Sequence, residues 1–184
     1  MYYTKQIVDV LLYLHKNRVI HRDLKLGNLM INENMEIKLG DFGLATKLDF
    51  DGERKRTICG TPNYIAPEVL DGKNGHSYEV DIWSLGVIIY TLIIGKPPFE
   101  TKDVKTTYDR IRKNNYHFPD HVAISEQAKD LVTWILNSRP DNRPSLQDIA
   151  DHRFLSYETP ETLHPSLLVC PPSSSILKNL PDDF

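Results

Sequence analysis

The sequence has little of what several classes of protein require. Its 184 residues include two cysteines, Cys59 and Cys170, which allow at most one disulfide and form no metal-binding pattern. We therefore expect reduced thiols in a cytosolic or nuclear protein. The net charge of −3 lacks the basic excess that is typical of nucleic-acid binding, so the sequence predicts no nucleic-acid partner.

Long apolar runs are also missing. No stretch reaches the roughly 20 apolar residues of a membrane-spanning helix, and Met1 leads into polar sequence rather than into a signal peptide. We expect no membrane partner. Hydrophobic residues nevertheless make up 40% of the chain and charged residues 26%, a balance typical of a folded domain with a sizeable core.

Most of the periodic segments are helical. Residues 2–15 carry apolar side chains at the spacing of one buried helix face, namely Ile7, Val10, Leu11 and Leu14. The segment 79–94 is apolar on nearly every side, which predicts a helix at the centre of the core. Three shorter helices are predicted: residues 103–113 with Val104 inward, one capped by Ser125, and one that opens at Ser145 and ends near Phe154.

A short β-hairpin interrupts these helices. Leu29–Ile31 and Ile37–Leu39 are apolar and flank a polar turn. The second strand leads directly to Asp41, and we expect Phe42 to pack inward. The predicted fold class is therefore mainly α, with a small β-hairpin region.

Three short motifs contain residues that phosphoryl transfer needs. They are, in order, His21-Arg22-Asp23-Leu24-Lys25-Leu26-Gly27-Asn28, Asp41-Phe42-Gly43 and Ala66-Pro67-Glu68. Taken singly, Asp23 and Asn28 are common turn residues. Turn formation does not require Lys25 between them, however, so the ordered set favours a catalytic site.

Each candidate residue has a chemical role. Asp23 is the candidate base, or orienting acceptor, for a substrate hydroxyl, and Lys25 can neutralise the phosphoryl group during transfer. Asn28 and Asp41 offer the oxygen ligands that Mg²⁺ prefers. We assign catalysis to Asp23, Lys25 and Asn28, cofactor binding to Lys25, Asn28 and Asp41, and metal binding to Asn28 and Asp41.

A polar loop, residues 44–61, separates the second motif from the third. Thr57 follows the basic run Arg54-Lys55-Arg56, which an upstream activating kinase could recognise. A phosphate on Thr57 would have Arg22 as a partner, since Arg can bind phosphate through two parallel hydrogen bonds. The alternative is that the basic run is only a solvated charged stretch. Thr61 begins a proline-stiffened substrate platform, and we expect its hydroxyl to bond toward Asp23 and Lys25.

The ordered motifs resemble the protein-kinase signature set. Lys25 fits the Ser/Thr class, and the stretches 18–29, 51–64 and 95–101 resemble the polo-like kinase family. The resemblance implies ATP and Mg²⁺ as cofactors, and Ser/Thr residues of proteins as substrates. It also implies a Glu68–Arg143 ion pair and a bond from Asp81 to the backbone of the His-Arg-Asp loop. By the same resemblance, we expect the protein in the cytoplasm and nucleus, at the centrosome, spindle and kinetochore.

The resemblance covers only part of a kinase domain. Residues 1–155 resemble its C-terminal lobe, whereas residues 156–184 form a Pro/Ser-rich linker or tail. The complete domain is α+β, and its glycine-rich loop, strand Lys and helix Glu have no counterpart in this sequence. We therefore expect a fragment with no appreciable catalysis of its own. The alternative is a non-catalytic interaction module that binds kinase partners or substrates.

Overall fold

The helix from Glu79 to Ile94 lies at the centre of the core, as its apolar sequence predicts. The computed structural model describes residues 1–156 and 163–168. Its helices and strands are, in chain order, α1 (Tyr2–Lys16), β1 (Val19–Ile20), β2 (Leu29–Ile31), β3 (Ile37–Leu39), β4 (Thr46–Lys47), α2 (Pro67–Asp71), α3 (Glu79–Ile94), α4 (Val104–Arg112), α5 (Glu126–Ile135) and α6 (Leu146–Ala150). Short 3₁₀ turns lie at Leu26–Asn28, Pro140–Asn142 and Pro165–Leu168.

Helices α1 and α5 pack against this central helix, and α6 packs against α1. The buried face of α1 includes Ile7, Leu11 and Leu14 as predicted, whereas Val10 is only half-buried. Gly86 of α3 lies against Ile135 of α5, where a Cβ would be only 2.5 Å from the Ile135 side chain. The two helices therefore approach each other more closely than any larger residue at position 86 would allow.

The strands form two small antiparallel pairs. Strand β2 pairs with β3 in the predicted hairpin, with Leu29 opposite Leu39 and Ile31 opposite Ile37. Strand β1 pairs with β4, which lies inside the stretch predicted as loop. The hairpin matters for the site, because it brings the residues that precede β2 beside those that follow β3.

The helix caps agree with their predictions, whereas some details do not. Ser125 caps α5 by accepting a hydrogen bond from the Ala128 amide, and Ser145 and Asp148 form the capping box of α6. The sequence predicts that Val104 points inward, but its side chain is 51% exposed. Asp103 caps the helix, so Val104 is the first residue of its first turn. Helix α6 ends at Ala150, earlier than predicted.

The predicted fold class is confirmed: the described chain is mainly helical, with a small hairpin region. Within the described ranges, no helix is both long and apolar enough to cross a membrane. Most of the predicted Pro/Ser-rich tail, including Cys170, lies outside the described residues.

Candidate active site

Asp81, in the first turn of α3, holds the backbone of the loop that carries the first motif. Its carboxylate is fully buried and accepts hydrogen bonds from the amides of His21 and Arg22, both at 2.9 Å. The Nε2 atom of His15, at the end of α1, lies 3.0 Å from the same carboxylate. These bonds satisfy the buried charge and compensate for its desolvation. The contact expected between Asp81 and this loop is confirmed.

His21 connects the same loop to the end of the hairpin, a role that the sequence analysis missed. Its ring is fully buried. The Asp23 amide donates to Nδ1 at 3.3 Å, so the proton is assigned to Nε2, which lies 3.1 Å from the carbonyl oxygen of Gly40. The only signal in the sequence was the position of His21, two residues before the candidate acid.

The Asp23 carboxylate lies in a compact network with Lys25 and Thr61. Lys25 Nζ donates to Asp23 Oδ2 at 2.8 Å and to Thr61 Oγ1 at 3.0 Å. The Thr61 hydroxyl in turn donates to Asp23 Oδ1 at 2.7 Å. The predicted bond of Thr61 toward Asp23 and Lys25 is therefore confirmed. The network joins the loop of the first motif to the substrate platform.

This network controls the ionisation of Asp23. Burial alone would raise the pKa of the carboxyl group, but the hydrogen bonds from Lys25 and Thr61, with the positive charge of Lys25, outweigh burial. The net result is a pKa below the ordinary Asp value. Asp23 is therefore ionised at neutral pH and available as a hydrogen-bond acceptor.

The hairpin places Asn28 and Asp41 at its open end. Asn28 precedes β2, and its backbone carbonyl accepts a hydrogen bond from the Gly40 amide at 2.9 Å, so Asp41 is the next residue along. The Asn28 Nδ2 donates to the backbone carbonyl of Asp23 at 2.8 Å, which leaves Oδ1 without a hydrogen bond among the described residues. Asp41 is exposed, and within the part of the chain that the structure describes its Oδ1 accepts only from the Gly43 amide, at 3.2 Å. Two hard oxygen donors are thus open to a cation.

Phe42 does not pack inward as predicted. Its side chain is 47% exposed and contacts the His21 ring edge to face, with the ring centroids 5.0 Å apart. The reason lies in Asp41, whose positive φ of 56° turns the chain at the end of β3. Phe42 therefore covers one side of His21 rather than filling the core.

The loop 44–61 is fixed at its middle by contacts that the sequence did not predict. The Lys55 and His76 backbones exchange two hydrogen bonds of 2.8 Å, and Arg54 donates to the carbonyls of Asn74 and Gly75. Gly75 has a φ of 68°, and a Cβ there would meet the Lys55 carbonyl at 2.9 Å. The interpretation of Arg54-Lys55-Arg56 as merely a solvated stretch is therefore wrong for Lys55, which is half-buried, and for Arg54, which is exposed but has fixed hydrogen-bond partners. Arg56 remains exposed.

Thr57 is exposed just beyond the backbone pair of Lys55 and His76, and no contact among residues 1–156 and 163–168 joins it to Arg22. The Arg22 Nε instead donates to the carbonyl of Leu44 at 2.7 Å. The loop does return to this region at Gly60, where a Cβ would lie 3.1 Å from the Arg22 carbonyl. The roles given to Thr57 and Arg22 stay predictions.

The platform, residues 61–68, is fixed at its far end by an ion pair. Both guanidinium nitrogens of Arg143 donate to the Glu68 carboxylate, at 2.7 Å each. The Arg143 side chain is fully buried and also lies over the Trp83 ring. The predicted Glu68–Arg143 pair is confirmed, and it attaches the platform to the core.

These features are those of part of a protein-kinase domain, and a comparison with known families agrees. The family described as "Protein kinase domain" matches residues 1–155. The chain therefore belongs to the protein kinase family.

Within that family, the resemblance to polo-like kinases is confirmed. The chain is 62% identical over 177 residues to the "Probable serine/threonine-protein kinase CCRP1" of Zea mays, covering 95% of this chain and 28% of that protein. It is 59% identical over 177 residues to the "Probable serine/threonine-protein kinase PLK" of Dictyostelium discoideum, covering 96% and 18%. It is 58% identical over 176 residues to the "Serine/threonine-protein kinase PLK1" of Xenopus laevis, covering 95% and 29%. The chain thus spans less than a third of the length of these relatives.

Proposed function

We propose that this chain supplies the catalytic loop and substrate platform of a polo-like serine/threonine kinase. The reaction would transfer the γ-phosphoryl group of ATP to Ser or Thr hydroxyls of proteins. The observation that carries this proposal is the Asp23 carboxylate, kept ionised and oriented by Lys25 and Thr61 beside the platform. An isolated turn residue would need neither partner.

In the proposed reaction, Asp23 accepts the hydrogen bond of the substrate hydroxyl. The hydroxyl oxygen forms a bond to the γ-phosphorus while the bond to the oxygen of the departing ADP breaks, and the hydroxyl proton passes to Asp23. Because the pKa of Asp23 is lowered, the residue is a weak base, so orientation of the hydroxyl is its larger contribution. Lys25 stabilises the negative charge of the group in transfer.

Use of ATP and Mg²⁺ is a general property of protein kinases, and the donors in this chain fit the metal. The free amide oxygen of Asn28 and the exposed carboxylate of Asp41 would hold Mg²⁺, a cation that prefers such ligands. Bound Mg²⁺ supplies positive charge against the phosphate oxygens. The described residues contain no cluster of three or more His, Cys, Asp or Glu side chains that could hold a metal, so the remaining ligands would come from phosphate and water.

Regulation would act through Thr57. An upstream kinase would phosphorylate this exposed residue, and Arg22 would exchange its bond to the Leu44 carbonyl for the phosphate. The support for this step is the approach of the loop to Arg22 at Gly60. By its likeness to the polo-like kinases, the protein would act in the cytoplasm and nucleus, at the centrosome, spindle and kinetochore.

The test joins this chain to the part of the Xenopus laevis relative that precedes the matched residues. The joined protein should transfer labelled phosphate from ATP to a Ser/Thr protein substrate in the presence of Mg²⁺. The same protein with Asp23→Asn is the matched control and should be inactive. A joined protein that folds and binds ATP but transfers no phosphate would contradict the proposal and favour the interaction module instead.

A further inference from the structure

A groove of about 460 Å³ lies away from the candidate active site, between the loop after α3, helix α4 and the loop after α4. This volume lies within the usual range of ligand sites. Its basic and acidic lining side chains are Lys96, Lys102, Arg110, His117, His121 and Glu100. Bases thus outnumber acids clearly, although the whole chain has a net charge of −3.

The charges of this groove are not compensated from within the described part of the chain. Glu100 is its only acid, and its carboxylate accepts a hydrogen bond from Asn63 Nδ2 at 3.3 Å. Arg110 donates to the backbone carbonyl of Glu100, also at 3.3 Å, rather than to a carboxylate. Among the described residues, Lys96 and Lys102 make no ion pair or hydrogen bond.

A neighbouring acid does not change this balance. Asp103 follows Lys102 directly, but its carboxylate caps α4 and accepts hydrogen bonds from the Thr106 amide and hydroxyl, both at 2.8 Å. The positive charge of the groove is therefore open to an external partner.

The walls of the groove are stiff. Pro97, Pro98 and Pro119 line it, and proline fixes one backbone angle. The hydroxyl of Tyr90, on α3, donates to the His117 carbonyl at 2.7 Å and attaches one wall to the central helix. A site formed in advance costs less ordering when a ligand binds.

The groove is also continuous with the substrate platform. Asn63 belongs to the platform, and its bond to Glu100 joins the platform to the rim of the groove. A protein segment that leaves the platform in this direction would therefore reach the exposed lysines.

We propose that this groove binds an extended acidic segment of a protein partner. Carboxylates of such a segment would pair with Lys96, Lys102 and Arg110, and its backbone would lie along the proline-lined wall. A long polyanion such as RNA is a poorer candidate. It would extend beyond the groove over the rest of the chain, and the net charge of the chain is negative. The proposal adds to the protein-substrate role proposed above, but binding in the groove does not depend on phosphoryl transfer.

Binding of a fluorescent peptide to the 184-residue chain tests this proposal. The probe is an octapeptide with four Glu residues separated by Gly and Ser, and the same peptide with Gln in place of Glu is its control. Fluorescence anisotropy should show binding of the Glu peptide that weakens as salt is added, because exposed charges are screened. The Gln peptide should bind much more weakly. Equal binding of both peptides would overturn the proposal.

Charge reversal then locates the site. Lys96→Glu combined with Lys102→Glu should weaken binding of the Glu peptide by roughly fivefold or more, a scale expected for two exposed charge pairs turned repulsive. The matched control is Lys16→Glu with Lys47→Glu, which changes the net charge equally at two exposed lysines outside the groove. The control should change binding less than about twofold.

The two pairs of substitutions also separate binding in the groove from a general charge effect. Equal weakening by both pairs of substitutions would mean a general charge effect and would overturn the groove as the site. The four substituted lysines are all exposed, so each pair of substitutions should leave the fold intact. The melting temperature of each variant checks this. If the joined protein proves inactive while the Glu peptide still binds in the groove, the proposed function fails and this proposal stands.

Discussion

The loop of residues 21–28, which we propose as the catalytic loop, and the loop of residues 44–61, which we propose as the activation loop, meet at Asp23 but are held in opposite ways. The catalytic loop is built from buried polar residues, with His21 at 0%, Asp23 at 7% and Asn28 at 8% exposure. The activation loop exposes large apolar side chains, with Phe50 at 61% and Ile58 at 65%. The loop of residues 21–28 is therefore fixed by buried contacts with the core, whereas the loop of residues 44–61 is held by a few contacts.

This difference matches what each loop would have to do. A catalytic carboxylate must keep its position through every reaction, and buried hydrogen bonds to rigid helices provide that. A regulatory segment must change its contacts when it is modified, which requires few contacts and accessible residues. The anchor at Lys55 and His76 limits such a change to residues on either side of it.

The largest expected effect comes from the acid of the catalytic loop. In the joined protein, Asp23→Asn should lower phosphoryl transfer by about 10²–10⁴-fold or more, because the acceptor of the substrate hydroxyl loses its charge. The shape of the side chain is kept, so the fold should stay intact, but the melting temperature should fall because the new amide nitrogen must face Lys25 or Thr61, which both donate to Asp23. Radiolabel transfer and thermal unfolding measure the two effects. Near-normal turnover would contradict the role of Asp23.

The next effect comes from the support of the same loop. Asp81→Asn should lower the free energy of unfolding by about 2–4 kcal/mol, because the new amide group must face a backbone N–H donor in a buried site. Urea denaturation of the 184-residue chain measures this change. Asp9→Asn, at an exposed position of α1, is the matched control and should have almost no effect. Equal stability of the two variants would mean that Asp81 does not hold the loop.

A smaller effect is expected at the metal donors. Asp41→Ala in the joined protein should weaken ATP binding in the presence of Mg²⁺ by roughly tenfold or more and leave metal-free binding nearly unchanged. ATP affinity measured with Mg²⁺ and with a chelator gives both values. Asp51→Ala removes an exposed carboxylate from the activation loop and serves as control. A Mg²⁺ dependence equal to that of the parent would rule out Asp41 as a ligand.

The effect of Thr57 should be smaller still, because the loop modulates a site that already exists. Thr57→Val should leave only basal activity in a joined protein exposed to an upstream kinase, a loss of about fivefold, at the lower end of typical allosteric coupling. Thr57→Asp should recover part of it, since a carboxylate has less charge than a phosphate. Arg22→Ala should make activity independent of Thr57 phosphorylation.

Thr61 is the competing residue for this regulation. Its hydroxyl is already bonded to Asp23 and Lys25, so Thr61→Val should lower activity whether or not Thr57 is phosphorylated. Mapping of phosphorylated residues on the parent separates the two. Phosphate at Thr61 alone, together with a fully active Thr57→Val variant, would refute the regulatory role of Thr57.

The same contrast explains what could be predicted from the sequence. The ordered motifs predicted the catalytic loop and the contact of Thr61, because the chemistry restricts which residues can occupy those positions. The contact of Asp81 was expected only from the resemblance to protein kinases. Helix periodicity located α1, and apolar residues on nearly every side located α3. Neither signal applies to Phe42, whose direction depends on the positive φ of Asp41. Neither applies to Arg54, whose partners are backbone carbonyls and the Glu79 carboxylate, at least 20 residues away. His76 is a single histidine outside every motif, so no pattern predicted its burial.

The smallest expected effect concerns His76, beneath the activation loop. Its side chain is only 2% exposed, and burial lowers its pKa, as do the charges of Arg22 and Arg54. The carboxylates of Glu68 and Glu79 oppose this shift without cancelling it. The neutral ring is therefore favoured in the folded protein relative to the unfolded chain.

The sign of the pH effect follows from this lowered pKa. As pH falls below the ordinary His value of about 6.5, the unfolded chain gains a proton at His76 before the folded protein does, so the free energy of unfolding decreases. Above that pH the contribution is constant. Urea denaturation of the parent between pH 8 and pH 5.5 should show a steeper fall in stability than the same measurement on His76→Gln. His121→Gln, at an exposed position, should keep the steep fall. Parallel curves for the parent and His76→Gln would mean that protonation of His76 does not affect the anchor of the activation loop.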